Sequence, residues 1–325
     1  MKAALRPGVV DTCTFVPTPE TLRQWIEAIA KSKAYLRVFW RGFAHWASLS
    51  RADYFRLFEE HSFDDAVAVL TERIVSKGVT VDEFVATMDE AGVAASVIHN
   101  GDYETHLGVR PVPFEFHAEM ARRFPGRFVL LAGIDPLKKD AAQTFKRCID
   151  ELGYQGLMVV GFRHGLRPTD EPFVPLYRIC QERGLPAWIH STGNWDPRCP
   201  LDSSNPREID RIAIQFPEFK ILAGHAGWPW MQEMVSVAWR HPNVYVEVSA
   251  FRPRSMAEPG YGFEPLLHFG RGPLRDKLMF GSTWNMLNMP IRDIYDEVRA
   301  LPGVTPEIAD KWTRRTAADV FQLGA

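Results

Sequence analysis

The chain has 325 residues and a formal net charge of −2, from 38 Lys plus Arg against 40 Asp plus Glu. That length allows one large domain or two ordinary ones, and a 46% hydrophobic content is enough for a sizeable core. Near-neutrality without any Lys/Arg run speaks against nucleic acid and anionic membrane as partners, and no apolar stretch approaches the roughly 20 residues needed to span a bilayer.

The opening MKAALRPGVV is broken too early by Pro7 and Gly8 to read as a signal peptide. Cys13, Cys148, Cys180 and Cys199 lie far apart with no CxxC spacing, which argues against a disulfide framework and a zinc ribbon. A reduced, cytoplasmic setting is the expectation.

Short apolar runs rich in β-branched residues recur along the chain. The first is VVDTCTFV (9–16), where period 2 would turn Asp11, Cys13 and Phe15 to one side. AASVIHN (94–100), RFVLLAGID (127–135), GLMVVGF (156–162), LPAWIHS (185–191), FKILAGH (219–225), NVYVEVS (243–249) and KLMFGST (277–283) follow. Most gaps between them carry a 3.6-residue period with helix stops, as in VTVDEFVATMDEAG, which ends at Gly92, and KDAAQTFKRCIDELG, which ends at Gly153. Nearly all-apolar strands alternating with helices predict a parallel sheet buried on both faces. Eight such units, with no GxGxxG after the first strand, predict an α/β fold of the (β/α)8 TIM-barrel type rather than an open doubly wound sheet.

The gap after the first strand is too long for one crossover helix. Residues 17–78 are therefore expected to form a helical cap within a single domain spanning 1–325.

In a parallel barrel the active site lies at the carboxyl ends of the strands. Those ends deliver Asp11, Cys13 and Phe15, then His99 and Asn100, then Arg163 and His164. His190, His225, Glu247 with Ser249, and Ser282 with Thr283 complete the set. Histidines at two neighbouring strand ends, in IHSTG and GHAGWPW, are the sharpest signal of a shared site.

The order and spacing of GVVDTCTF, AGIDPL, EPFVPLYRICQERGLPAWIHSTG, ILAGHAGWPW, NVYVEVSA, LMFGSTWNM and RRTAADVFQL make the chain resemble the amidohydrolase superfamily. The resemblance is to the branch that includes aminocarboxymuconate-semialdehyde decarboxylase and related aromatic-acid decarboxylases. It implies a divalent-metal site, usually with two histidines on the first strand and an aspartate after Gly-Ser on the eighth. Here those positions hold Cys13, Phe15 and Thr283, and of the usual ligands only His190 matches. His225 also matches, in a position that normally serves the chemistry.

Two readings of the chemistry follow. In the first, no metal is needed, and His190 and His225 act as acid and base, with Cys13 as nucleophile or filler and Glu247 replacing the missing aspartate. The enzyme would then hydrolyse or cleave a small cyclic or aromatic carboxylic substrate. In the second, Cys13, His190 and His225 hold a divalent cation such as zinc for non-oxidative decarboxylation. A third alternative is a binding barrel that has lost catalysis.

For the substrate, the resemblance points to an arginine in the cap, for which Arg41 is the candidate, with His45 beside it. Trp46, Trp195, Trp228 and Trp284, with Phe15, His164 and Thr283, are candidate pocket residues, because aromatic walls with a few polar groups are typical of small-molecule sites. A small molecule is the expected partner, and a homodimer is left open.

Overall fold

In the computed structural model, which describes residues 5–324, eight parallel strands form one sheet in chain order. They are β1 (Val9–Thr14), β2 (Val93–Gly101), β3 (Phe128–Gly133), β4 (Gly156–Val159), β5 (Ala187–His190), β6 (Ile221–Gly224), β7 (Val244–Val248) and β8 (Leu278–Phe280). Each strand falls inside one of the apolar runs or within a residue of it. Residues 1–4 of the N-terminal stretch lie outside the described residues.

The sheet curls until its two ends meet. Thr283 N donates to Cys13 O at 2.9 Å, and Ser282 N donates to the Asp11 carboxylate at 2.7 Å. The architecture is a (β/α)8 TIM barrel.

Alternation along the strands explains why the barrel forms. Val97, Val129, Leu131, Met158, Trp188, Leu222 and Met279 fill the interior. Their neighbours Ile98, Leu130, Leu157, Ile189, Ile221, Ala223 and Leu278 pack outward against the helices. Both faces are therefore apolar, as a sheet covered by helices requires.

The expected helices are present at Val81–Glu90, Phe114–Arg123, Ala141–Asp150, Val174–Arg183, Pro206–Gln215 and Met231–Arg240. Their ends carry the signals seen in sequence. Thr80 and Glu83 form a reciprocal capping box, and Gly184 ends its helix at φ 62°.

Between β1 and the helix Val81–Glu90 that leads into β2 lie five more helices: α1 (Pro19–Ala30), α2 (Lys33–Val38), α3 (Trp40–Trp46), α4 (Arg51–Glu60) and α5 (Phe63–Val75). Thr18, Ser50 and Ser62 cap α1, α4 and α5 with their hydroxyls. The helices bury a core of their own around Leu22, Ile26, Leu36, Phe43, Tyr54, Leu70 and Ile74. At the base of this excursion Val79 N donates to Pro17 O at 2.9 Å.

Candidate active site

A cavity of about 810 Å³ lies between the carboxyl ends of the strands and the helical cap. Its floor is Cys13, His99, Trp188, His190 and His225, and Trp25, Tyr35, Phe39 and Arg41 contribute from above.

The backbone that presents these groups is unusual. His225, Ala226, Ala250 and Thr283 adopt left-handed φ of 62°, 61°, 64° and 41°, just beyond β6, β7 and β8. Non-glycine residues in that region are strained, and such strain collects at functional sites.

The strand β1 departs from simple alternation. Its pairing with β2 shifts register between Asp11 and Thr14. Asp11, Cys13 and Phe15 consequently do not share one side. Asp11 is buried in the barrel wall, where its carboxylate accepts from both the backbone and the hydroxyl of Ser282. Burial pushes that carboxyl up to about 6, against the pull of those hydrogen bonds. The Thr12 hydroxyl donates to Glu247 Oε1 at 3.1 Å, and Cys13 faces the cavity. Phe15, beyond the strand, rests between Trp25 and Trp284.

Glu247 is fully buried beneath the floor and does not line the cavity. Its other carboxylate oxygen accepts from Trp188 Nε1 (3.1 Å), Ser249 Oγ (2.8 Å) and His225 N (3.3 Å). Burial raises it to about 7 even with these donors pulling it down.

Ser249 links Glu247 to the cavity, since its oxygen also lies 2.8 Å from His225 Nδ1. Because the Ser249 hydroxyl donates to Glu247, it accepts from His225 Nδ1–H. The lone pair of His225 is then on Nε2.

All three floor histidines are held neutral. Burial, and secondarily His99, takes His225 down to about 3. Burial takes His99 to about 4, partly offset by its contact with the Thr12 carbonyl. Burial also drives His190 well below its ordinary range, helped by His225 and Arg163. The His190 ring stands edge-on to His225 with centroids 5.3 Å apart, and its buried Nδ1 has no hydrogen-bond partner.

Burial, then the Glu247 charge, pushes the Cys13 thiol well above its usual value. With the floor imidazoles neutral, no imidazolium stands beside Cys13 to stabilise a thiolate.

Cys13, His225 and Glu247 each offer a ligand atom, and these atoms lie within 4.8 Å of one another. This trio differs from the expected Cys13, His190 and His225, since Glu247 replaces His190. A thiolate, an imidazole and a carboxylate suit zinc. Manganese prefers oxygen donors throughout and suits the set less well.

Of the predicted substrate residues, Phe15, Arg41, Trp195, Trp228 and Thr283 line the cavity. Four others do not. His45 is exposed on α3 and outside the lining. Trp46 and Trp284 instead pin the cap to the barrel: Trp46 Nε1 donates to Asn285 O (3.2 Å), Trp284 Nε1 donates to Thr14 Oγ1 (3.0 Å), and the rings meet at a 46° tilt with centroids 5.5 Å apart. His164 is buried beside Asp135, with Nδ1 3.7 Å from the carboxylate, and packs on Tyr103 and Phe173.

Among the residues given no role from the sequence are Trp188, His99 and Arg163. Trp188 stands two positions before His190 on the same strand face, so period 2 could have found it. His99 and Arg163 stood at strand ends but in no distinguishing spacing.

The amidohydrolase family model matches residues 61–323. Solved structures share the fold at low identity. An uncharacterised TIM-barrel protein from Bordetella bronchiseptica is 19% identical with a TM-score of 0.68, over 97% of this chain and 98% of that one. A 2,6-dihydroxybenzoate decarboxylase complexed with 2,6-dihydroxybenzoate is 16% identical with a TM-score of 0.63, over 98% and 100%. A 5-carboxyvanillate decarboxylase from Novosphingobium aromaticivorans, complexed with manganese and 4-hydroxy-3-methoxy-5-nitrobenzoic acid, is 16% identical with a TM-score of 0.63, over 99% and 100%. No curated protein matches the chain in sequence. With a barrel of this topology, a site at its carboxyl-terminal mouth and a family match over most of its length, the chain belongs to the amidohydrolase family.

Proposed function

We propose that this chain is a carbon–carbon lyase that removes CO2 from an aromatic carboxylic acid without oxidation. The observation that carries this reading is the cavity itself: aromatic walls around a floor of neutral imidazoles. Decarboxylases are also prominent among the structures that share the fold. The reading displaces hydrolysis, which the sequence had put first.

In such a reaction the bond to the carboxylate carbon breaks and its electrons stay on the ring. The ring carbon takes a proton, and neutral CO2 leaves. Flat walls such as Phe15, Trp25 and Phe39 suit a planar ring and keep water from the localised carboxylate charge.

His190 is the group placed to pass the proton. Its buried Nδ1 has no partner, which leaves Nε2 for the cavity. The resting ring is neutral, so the proton it passes would come from solvent or from an acidic group of the bound substrate. Once protonated, its depressed basicity makes it a strong acid toward carbon. Ser249 holds His225 by Nδ1, and Trp188 and Thr12 hold Glu247 in place. A divalent cation, when bound, would be held by Cys13, His225 and Glu247 and would supply Lewis-acid polarisation of a substrate oxygen.

The test is a panel of hydroxylated benzoates, followed by CO2 release and loss of the acid's absorbance, beside a matched panel of lactones and amides. CO2 release from a benzoate supports the lyase. Turnover confined to lactones or amides restores hydrolysis, and binding without turnover of either panel favours a barrel that only binds.

A further inference from the structure

Two arginines, Arg41 and Arg163, line the cavity, and among the described residues no aspartate or glutamate does. With the floor histidines neutral, the cavity carries uncompensated positive charge. The two cations differ in setting. Arg41 is exposed, with its guanidinium 5.7 Å from the Trp40 ring. Arg163 is half-buried and lies over two rings, 5.1 Å from the centroid of Tyr103 and 5.9 Å from that of Phe162.

Among the described residues the Arg163 guanidinium forms no hydrogen bond and no ion pair. It lines the same cavity as His190. Phe162 continues the row, its ring 5.0 Å from that of His190. A planar fork of donors, fixed by stacking and left without a partner inside a cavity, is what a carboxylate needs for bidentate recognition.

We propose that Arg163 holds the carboxylate of an aromatic acid, with His190 beside the bound anion. Arg41, exposed to solvent and screened by salt, contributes less. This assignment rests on the aromatic-acid reading above, but its test needs no turnover.

The experiment measures binding of 2-hydroxybenzoate and of the uncharged 2-hydroxybenzamide to the full chain, by quenching of tryptophan fluorescence; Trp25, Trp195 and Trp228 line the cavity and supply the signal. Arg163→Gln is expected to weaken the acid about tenfold to a hundredfold, the range for a lost charge-assisted hydrogen bond. Amide binding should be unchanged, which also shows that the variant is folded. Arg163→Lys should recover part of the loss, and Arg41→Gln should cost less than Arg163→Gln. Unchanged acid binding in Arg163→Gln, or equal losses for acid and amide, overturns the proposal. The two readings can fail separately. Acid selectivity that depends on Arg163 without CO2 release from any benzoate sinks the lyase alone, and CO2 release with Arg163-independent binding sinks this assignment alone.

Discussion

Gly281 gives Glu247 its place beside Cys13. A Cβ at position 281 would stand 2.6 Å from Glu247 Oε1 and 2.6 Å from Cys13 Cβ. No real Cβ tolerates such approaches, and both neighbours are fixed by the barrel wall.

Gly281→Ala should therefore destabilise the fold by roughly 1–3 kcal/mol, the usual cost of overpacking a tight interior. Turnover should fall as well, because relief requires Glu247 or Cys13 to move. Chemical denaturation and initial rates check this. Wild-type values for both would show that the wall yields more readily than its packing implies.

The trio of Cys13, His225 and Glu247 predicts a preference among metals. Zinc added to chelator-stripped protein should raise the melting temperature, whereas manganese should have little effect. At a hundredfold excess over the dissociation constant the gain would correspond to about 2.7 kcal/mol. Cys13→Ser and Glu247→Gln should each remove it. If neither ion shifts the transition, the trio is not a cation site and metal-free chemistry becomes the better account.

The histidines should separate by role. His190→Asn is expected to lower turnover at least about a hundredfold, as for a lost proton-transfer group. Ser249→Ala frees the His225 ring without touching the cavity and should cost about tenfold to a hundredfold, as for other groups that orient a working side chain. Steady-state kinetics on the true substrate would decide. A fully active His190→Asn enzyme would remove His190 from the mechanism.

Stability should fall with acid. Burial holds His99, His117 and His164 at about 4, below their ordinary 6.5. The unfolded chain takes up these protons first. The contribution of each to stability is thus complete above pH 6.5 and lost as the pH falls toward 4. Asp11 and Glu247, raised to about 6 and about 7, work the other way, their contributions being lost as pH rises through those values. His190 and His225 join the first group, so the histidines outnumber the two carboxyls. Thermal melts between pH 7 and pH 4 should show a net decline, and a rising melting temperature over that range would contradict it.

The barrel was legible because each strand reports its period locally, and the apolar runs mark both faces of the wall. That the long gap after β1 holds helices was legible from length alone, but their internal contacts were not. Trp46 and Trp284 looked like pocket walls because composition cannot tell a ring facing a ligand from one facing another ring. His164 follows Arg163 by a single position in a tight turn, Gly161–His164, and the two side chains part, one to the cavity and one to the wall. Glu247 was placed with Ser249 by period 2, and the structure joins them. What no local pattern revealed is the register shift in β1, which depends on pairing with a strand some 80 residues away.

The bond between Val79 and Pro17 has a consequence for how such a chain changes over time. The roof leaves and rejoins the barrel through one neck, and it has its own core. Closing a loop at this neck costs little more for a longer insert than for a shorter one. The roof's share of the cavity wall and the chemistry of the floor can therefore drift separately. A graft of another roof onto this neck would alter what enters while leaving the imidazoles where they are.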